Sequence, residues 1–129
     1  MTETHRVAQA LREIICNPAH DDATICAFFS PKYQQYVDGK RLDFAGFVSH
    51  MAALKQLTER IELTILAIAG EDGNVLTHHR VRVRKKVGDF AEIEVFAHFT
   101  LQDGLIIRCE ELTRLMSGAA EDRSLGSVN

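Results

Sequence analysis

The chain lacks the long apolar run that a membrane span requires; nothing in it approaches ~18 consecutive apolar residues. Its N-terminus, MTETHRVAQ, has no apolar core of the secretory type, so no leader is expected. The three cysteines, Cys16, Cys26 and Cys109, form no C-x-x-C pair and are odd in number. That points to a reduced, cytoplasmic chain in which each thiol packs as a small apolar group. The six histidines include no i, i+4 pair, no H-x-H and no H-E-x-x-H. No metal site and no cofactor is therefore expected. Positive charge is not in excess: 15 Lys and Arg stand against 18 Asp and Glu, for a net charge of −3 and a pI of about 6.0. A nucleic-acid partner usually demands a basic domain, so none is expected.

What is present is globular in composition, with 46% hydrophobic and 26% charged residues. No repeat, linker or low-complexity segment divides the chain, so one domain is expected over residues 1–129, with a polar tail from about residue 117. Surface scaling for this size leaves roughly 6,900 Å² exposed of about 21,000 Å² unfolded, enough burial for a core without disulfide or metal staples.

The first third reads as helix. Val7, Leu11, Ile14 and Ile15 recur at i, i+4, i+7 and i+8. Asn17-Pro18 suits the start of a second, short helix running to about Phe29, which Ser30-Pro31 ends. KYQQYVDGKRL reads as irregular, with Asp38-Gly39 as a turn. Asp43 then caps a third helix, FAGFVSHMAALKQL, whose buried stripe is Phe44, Phe47, Met51 and Leu54. Gly46 costs that helix about 1 kcal/mol relative to Ala, so close packing is expected there. From Glu59 the period changes to two, with turns at Glu71–Asn74 and Asp103-Gly104. Three helices followed by four antiparallel strands predict an α+β fold, with N-terminal helices packed on a strongly curved antiparallel sheet.

Alternation gives the strands two faces. Val75, Thr77, His79, Val81 and Val83 share one side, with Ile93, Val95, Ala97, Phe99 and Leu101 on the next strand. Arg82, Arg84 and Lys86 then lie on the other side, opposite Glu92 and Glu94, as a solvated and salt-bridged face. A two-residue loop at Gly88-Asp89 would pair odd with even positions and set the apolar faces at odds. A three- or five-residue loop, or a bulge, is therefore predicted between Lys85 and Ala91. Phe96 and His98 sit on the outer face, which suggests a sheet-to-sheet homodimer contact.

Two registers are open for the last strand. Regular pairing across the Asp103-Gly104 turn carries Arg108 and Glu110 into the space under the helices, where they would pair with each other or with a ligand. A bulge would instead turn Ile107 and Cys109 inward and leave both charges in water. His50 borders the buried stripe of the third helix. The mouth of a pocket would thus gather His50, His79, Tyr33, Tyr36, Asp38, Arg108 and Glu110, with Phe47 and Phe99 as apolar lining. A histidine near its ordinary pKa of about 6.5 suits acid–base chemistry at neutral pH.

The segment DGLIIRCEELTRLMSGAAEDRSLGS resembles the C-terminal strand and tail of the SnoaL-like branch of the NTF2-like superfamily, and YQQYVDGKRLDFAGFVSHM is similar to that family's loop and third helix. The resemblance implies a cone-shaped α+β barrel with a pocket between helices and concave sheet, usually in a homodimer. It also implies a range of activities: ketosteroid-isomerase-like proton transfer, polyketide cyclisation, dehydration, epoxide hydrolysis or plain ligand binding. Fold does not choose among them. The isomerases place a catalytic Asp in the loop before the third helix, near Asp38, but there a Pro follows where this chain has Gly39. Their oxyanion tyrosine lies on the first helix; this chain has Tyr33 and Tyr36 in the loop instead. The cyclase branch uses a His–Asp pair on the sheet, for which His79 resembles the His without an evident Asp. The sequence thus predicts a small-molecule pocket protein, either a cofactor-free isomerase, cyclase or dehydratase or a non-catalytic binding or dimeric module. In the first case His79 or Asp38 acts as base, with Arg108 or a tyrosine stabilising negative charge.

Overall fold

In the computed structural model, which describes residues 2–118, helices come first and strands follow. Helix α1 spans Glu3–Ala10, a π-helical turn Leu11–Ile15, α2 Asp22–Phe28 and α3 Phe44–Leu57. The strands are β1 Phe29–Val37, β2 Lys40–Asp43, β3 Thr58–Glu71, β4 Asn74–Lys85, β5 Phe90–Gln102 and β6 Leu105–Ser117. They form one curved sheet in the order β2-β1-β6-β5-β4-β3, and one apolar cluster joins its inner face to the helices. This is the expected α+β cone, with two differences: six strands stand where four were expected, and β1 runs parallel to β6, so the sheet is mixed. The expected polar tail lies, beyond Gly118, outside the described residues.

Local chemistry explains most boundaries. Thr2 caps α1 by accepting from the His5 N–H at 3.2 Å. The π turn that follows keeps both Leu11 and Ile14 buried. The Lys55 ammonium closes that segment, donating to the carbonyls of Ile14 at 2.7 Å and Ile15 at 2.9 Å and also to that of Asn17. Helix α2 starts later than Asn17-Pro18 suggests. Asp21 is its cap, accepting from the Ala23 N–H at 3.0 Å, whereas Asn17 only turns the chain toward Ala19. Asp43 caps α3 through the Gly46 N–H at 2.8 Å. A Cβ at Gly46 would stand 3.2 Å from the Leu42 side chain, which accounts for the glycine.

The segment read as irregular is in fact the β1–β2 hairpin. Asp38 and Gly39 take φ of 51° and 83°, the left-handed pair that a two-residue turn needs. Pro31 is accommodated because the β1–β6 ladder is interrupted between Phe29 and Gln34. The last β4–β5 pair is Arg84 with Phe90, so five residues, 85–89, separate the paired positions and the apolar faces agree, as the alternation requires. Bulges bend the sheet, on β3 between Ile65 and Ala67 and on β6 where Thr100 pairs with Arg108 but Leu101 with Ile106.

That β6 bulge, at Ile107, resolves the two open registers. Cys109 is buried as the bulged alternative expects, but Ile106 rather than Ile107 is the buried isoleucine, because Ile107 is the residue that leaves the ladder; Arg108 and Glu110 are exposed and face outward. The outer face is salt-bridged, though not by the pairs expected. Arg82 does lie opposite Glu92, but Arg80 is the residue opposite Glu94, and Arg84 meets Phe90. Glu94 takes its contacts from His78 at 2.8 Å and Arg114 at 3.1 Å, and Arg84 from Glu59 at 3.2 Å.

Candidate functional site

The concave face encloses a cavity of about 100 Å³. Ile14, Phe47 and Met51 lie above it and Val95 and Phe99 below. Burial of these groups is driven by removal of apolar area from water, about 25 cal/mol per Å². Phe29, Tyr33 and Phe47 form an aromatic cluster at one end, with ring centroids 4.7 to 4.9 Å apart. Six polar side chains reach the same cavity: Tyr33 and Gln35 from β1, His50 from α3, His79 from β4, and Glu111 and Thr113 from β6.

The register explains why they converge. Across the sheet, Val37, Glu111, Ala97 and Thr77 form one row, and Thr113, Val95 and His79 the next. Ala97 contributes almost no bulk, which leaves room beside the Glu111 carboxyl. The three residues Tyr33, Gln35 and Val37 point inward together because β1 alternates like any strand. The Tyr33 hydroxyl donates to Gln35 Oε1 at 2.9 Å, which fixes both. Burial pushes the Tyr33 hydroxyl well above its ordinary pKa, so it stays protonated.

His79 is 2% exposed, and its Nδ1 lies 3.0 Å from Thr77 Oγ1. Burial, with a small contribution from His78, lowers its pKa to about 4, so the ring is neutral at physiological pH. Glu111 behaves in the opposite sense. As a residue it keeps some exposure, but its carboxyl is desolvated, and this raises its pKa to about 7. The nearby Asp38 charge adds to the rise, while the Cys109 thiol, 3.6 Å away, opposes it. Cys109 itself is fully buried, and desolvation keeps its thiol protonated and unreactive. The group poised to exchange protons near neutrality is therefore Glu111 rather than His79.

The residues anticipated from sequence divide into two sets. His79, His50, Tyr33, Phe47 and Phe99 line the cavity. Tyr36, Arg108 and Glu110 do not: they stand on the outer face, where the Arg108 guanidinium lies 4.6 Å from the Tyr36 ring centre and pairs with Glu110. Period two forces this, since Tyr36 alternates with Gln35 and the Ile107 bulge turns Arg108 and Glu110 outward. Asp38 is a turn residue whose carboxylate accepts from the Thr113 N–H at 2.8 Å and from the Thr113 hydroxyl. It belongs to a shallower depression that adjoins the cavity through Ile93 and Thr113. Glu111 and Gln35 were not foreseen. The signal for Glu111 was available: it lies two residues beyond Cys109, so any bulge that turns Cys109 inward turns Glu111 inward too. Among the described residues no cluster of His, Cys, Asp and Glu could hold a metal ion, and no helix is long and apolar enough to cross a membrane.

Comparison with known proteins now adds to this geometry. The SnoaL-like domain profile matches residues 8–109. An uncharacterised protein of Schizosaccharomyces pombe is 32% identical over 108 residues, covering 84% of this chain and 83% of the relative. Among solved structures, IdmH, a candidate polyketide cyclase from Streptomyces antibioticus, superposes with a TM-score of 0.74 at 14% identity, over 88% of this chain and 92% of its own. AclR, a candidate hydroxylase from Streptomyces galilaeus, gives 0.73 at 15% identity, over 99% of this chain and 89% of its own. At such identities the structural likeness speaks for the fold alone.

Proposed function

The chain belongs to the SnoaL-like domain family, and from that premise we propose that it is a cytoplasmic small-molecule pocket protein performing cofactor-free acid–base chemistry on an apolar carbonyl compound. The observation that carries this reading is an ionisable carboxyl, Glu111, set in the wall of an otherwise apolar cavity. In the proposed step a substrate C–H bond breaks, its proton passes to the Glu111 carboxylate, and the electron pair moves onto the carbonyl oxygen. Return of the proton at another carbon completes an isomerisation with no net redox change. His79 takes part as a neutral hydrogen-bonding group. The role requires the tautomer in which the Thr77 hydroxyl, 3.0 Å from Nδ1, donates to that nitrogen and the ring proton sits on Nε2, where a ligand oxygen accepts it.

A second reading is binding without turnover. It is favoured by the placement of Arg108 and Tyr36 outside the cavity, which leaves no Lys or Arg among the described residues to stabilise an oxyanion there. We also propose a homodimer through the outer face, where Phe96 is 52% and Leu112 69% exposed and the two pair across β5 and β6. The decisive test is a thermal-shift screen of ketones, acids and steroids, followed by deuterium exchange of each binding ketone in D2O. Protein-catalysed exchange that drops about 10²- to 10⁴-fold in Glu111→Gln supports catalysis. Ligand binding without exchange leaves the second reading; stabilisation by no ligand removes both.

A further inference from the structure

We infer that the cavity selects a small uncharged carbonyl compound, one ring or a short chain, and excludes both carboxylic acids and fused-ring compounds. The inference rests on the pocket reading above and names its substrate class.

Size is the first argument. A cavity of about 100 Å³ is well below the roughly 300–1,000 Å³ of pockets for drug-sized ligands. An apolar cavity of about 150 Å³ in another protein accommodates benzene, so this one, about a third smaller, has room for no more than one small ring or a short chain. The sheet geometry agrees. Glu111 and His79 lie two strands and two residues apart, a separation of roughly 12 Å between Cα atoms at ordinary strand spacing. Both side chains project into that gap, and what remains between them is about the width of one ring. The two parts of the roof do not spread apart easily for a larger guest, because the Lys55 ammonium on α3 holds the carbonyls of Ile14 and Ile15.

Charge is the second argument. Among the described residues no Lys or Arg lines the cavity, and Arg108, the nearest candidate by sequence, faces water. An anionic ligand would bring a second negative charge beside the Glu111 carboxyl, with no cation to offset either. A carbonyl group instead needs only a hydrogen-bond donor, which the Gln35 amide and the His79 ring supply, the Tyr33 and Thr113 hydroxyls being committed to Gln35 and Asp38.

The test uses the full chain and three probes: 2-cyclohexenone, cyclohexanecarboxylate and a tetracyclic ketosteroid, followed by calorimetry and thermal shift at pH 8. Cyclohexenone is expected to bind, the carboxylate to bind at least about 10-fold more weakly, and the ketosteroid not to bind. In Glu111→Gln the preference for ketone over acid should shrink by about 10-fold, since the repelling charge is gone. In Val95→Ala, which widens the floor, a bicyclic ketone should bind where the wild type takes only one ring. Glu111-sensitive binding of the ketosteroid, or acid binding equal to that of the ketone, overturns the size or the charge argument while leaving the pocket reading intact. If no probe of any size or charge binds, the pocket reading fails with it.

Discussion

Glu110 and Glu111 are neighbours on β6, joined by one peptide bond, and they inhabit different solvents. Glu110 points outward, exposed and paired with Arg108. Glu111 points inward beside a buried thiol, and loss of water raises its pKa to about 7. The same contrast runs across the sheet. His79 lies buried and neutral on the inside, while His78, the residue before it, stacks 4.2 Å from the Phe96 ring and contacts Glu94 on the outside. Identical side chains thus acquire opposite roles from the parity of their position, and parity on β6 is set by the single extra residue at Ile107.

The largest effect should come from inserting one alanine between Ile107 and Arg108, because the ladder already absorbs one extra residue there and would have to absorb a second. The residues beyond it would slip by one, drive Arg108 and Glu110 toward the core and expel Cys109 and Glu111. Loss of the cooperative melt in circular dichroism is expected, because buried unpaired charge costs several kcal/mol. A native melt would mean that the bulge does not control the faces. Next comes the glutamate pair itself. Glu111→Gln should abolish acid–base turnover while retaining ligand, whereas Glu110→Gln should stay within about twofold of wild type. Equal losses in both would erase the distinction between the faces.

The pH dependence follows from the same burial. Because the folded pKa of Glu111 lies above its unfolded value, its contribution to stability is fully present below about 4.5 and is lost as pH rises through about 7. His79 runs the other way: its contribution is present above about 6.5 and is lost as pH falls through about 4. Glu111→Gln should therefore raise the melting temperature at pH 8, on the order of 5 °C, and change it little at pH 4.5. A uniform shift across that range would contradict the assignment. A smaller effect is expected on the outer face, where Phe96→Glu should shift sedimentation toward the monomer with the melt nearly unchanged. The smallest belongs to Arg114→Ala, which removes one exposed partner of Glu94 and should move the melting temperature by no more than about 2 °C.

Where the sequence was legible, it was so because solvent wrote the pattern. On β4 and β5 burial alternates residue by residue, mostly in step with polarity, and every inward assignment there holds. Helix α3 was legible at both ends through Asp43 and the change of period after Leu57. Strand β1 was not, because its inward positions include Gln35 and Tyr33, polar residues that face a cavity rather than a packed core. The alternation is real there but carried by shape and hydrogen bonding rather than hydrophobicity. The bulge at Ile107 was hidden for another reason. Ile106 and Ile107 are chemically identical, so nothing local marks which of them leaves the ladder; the choice is made by packing against Leu101 and Phe99 on the neighbouring strand.

Lys55 ties α3 to the end of the preceding helical segment through three carbonyl groups. Those two segments therefore behave as one plate over the cavity, and neither can tilt alone without baring an ammonium and its acceptors. At the β1–β2 hairpin the Asp38 carboxylate accepts from the Thr113 N–H and hydroxyl, and its own N–H bonds the Glu111 carbonyl, so the turn is pinned to β6. The residue that the sequence offered as a base is, in this architecture, a fastener for a turn.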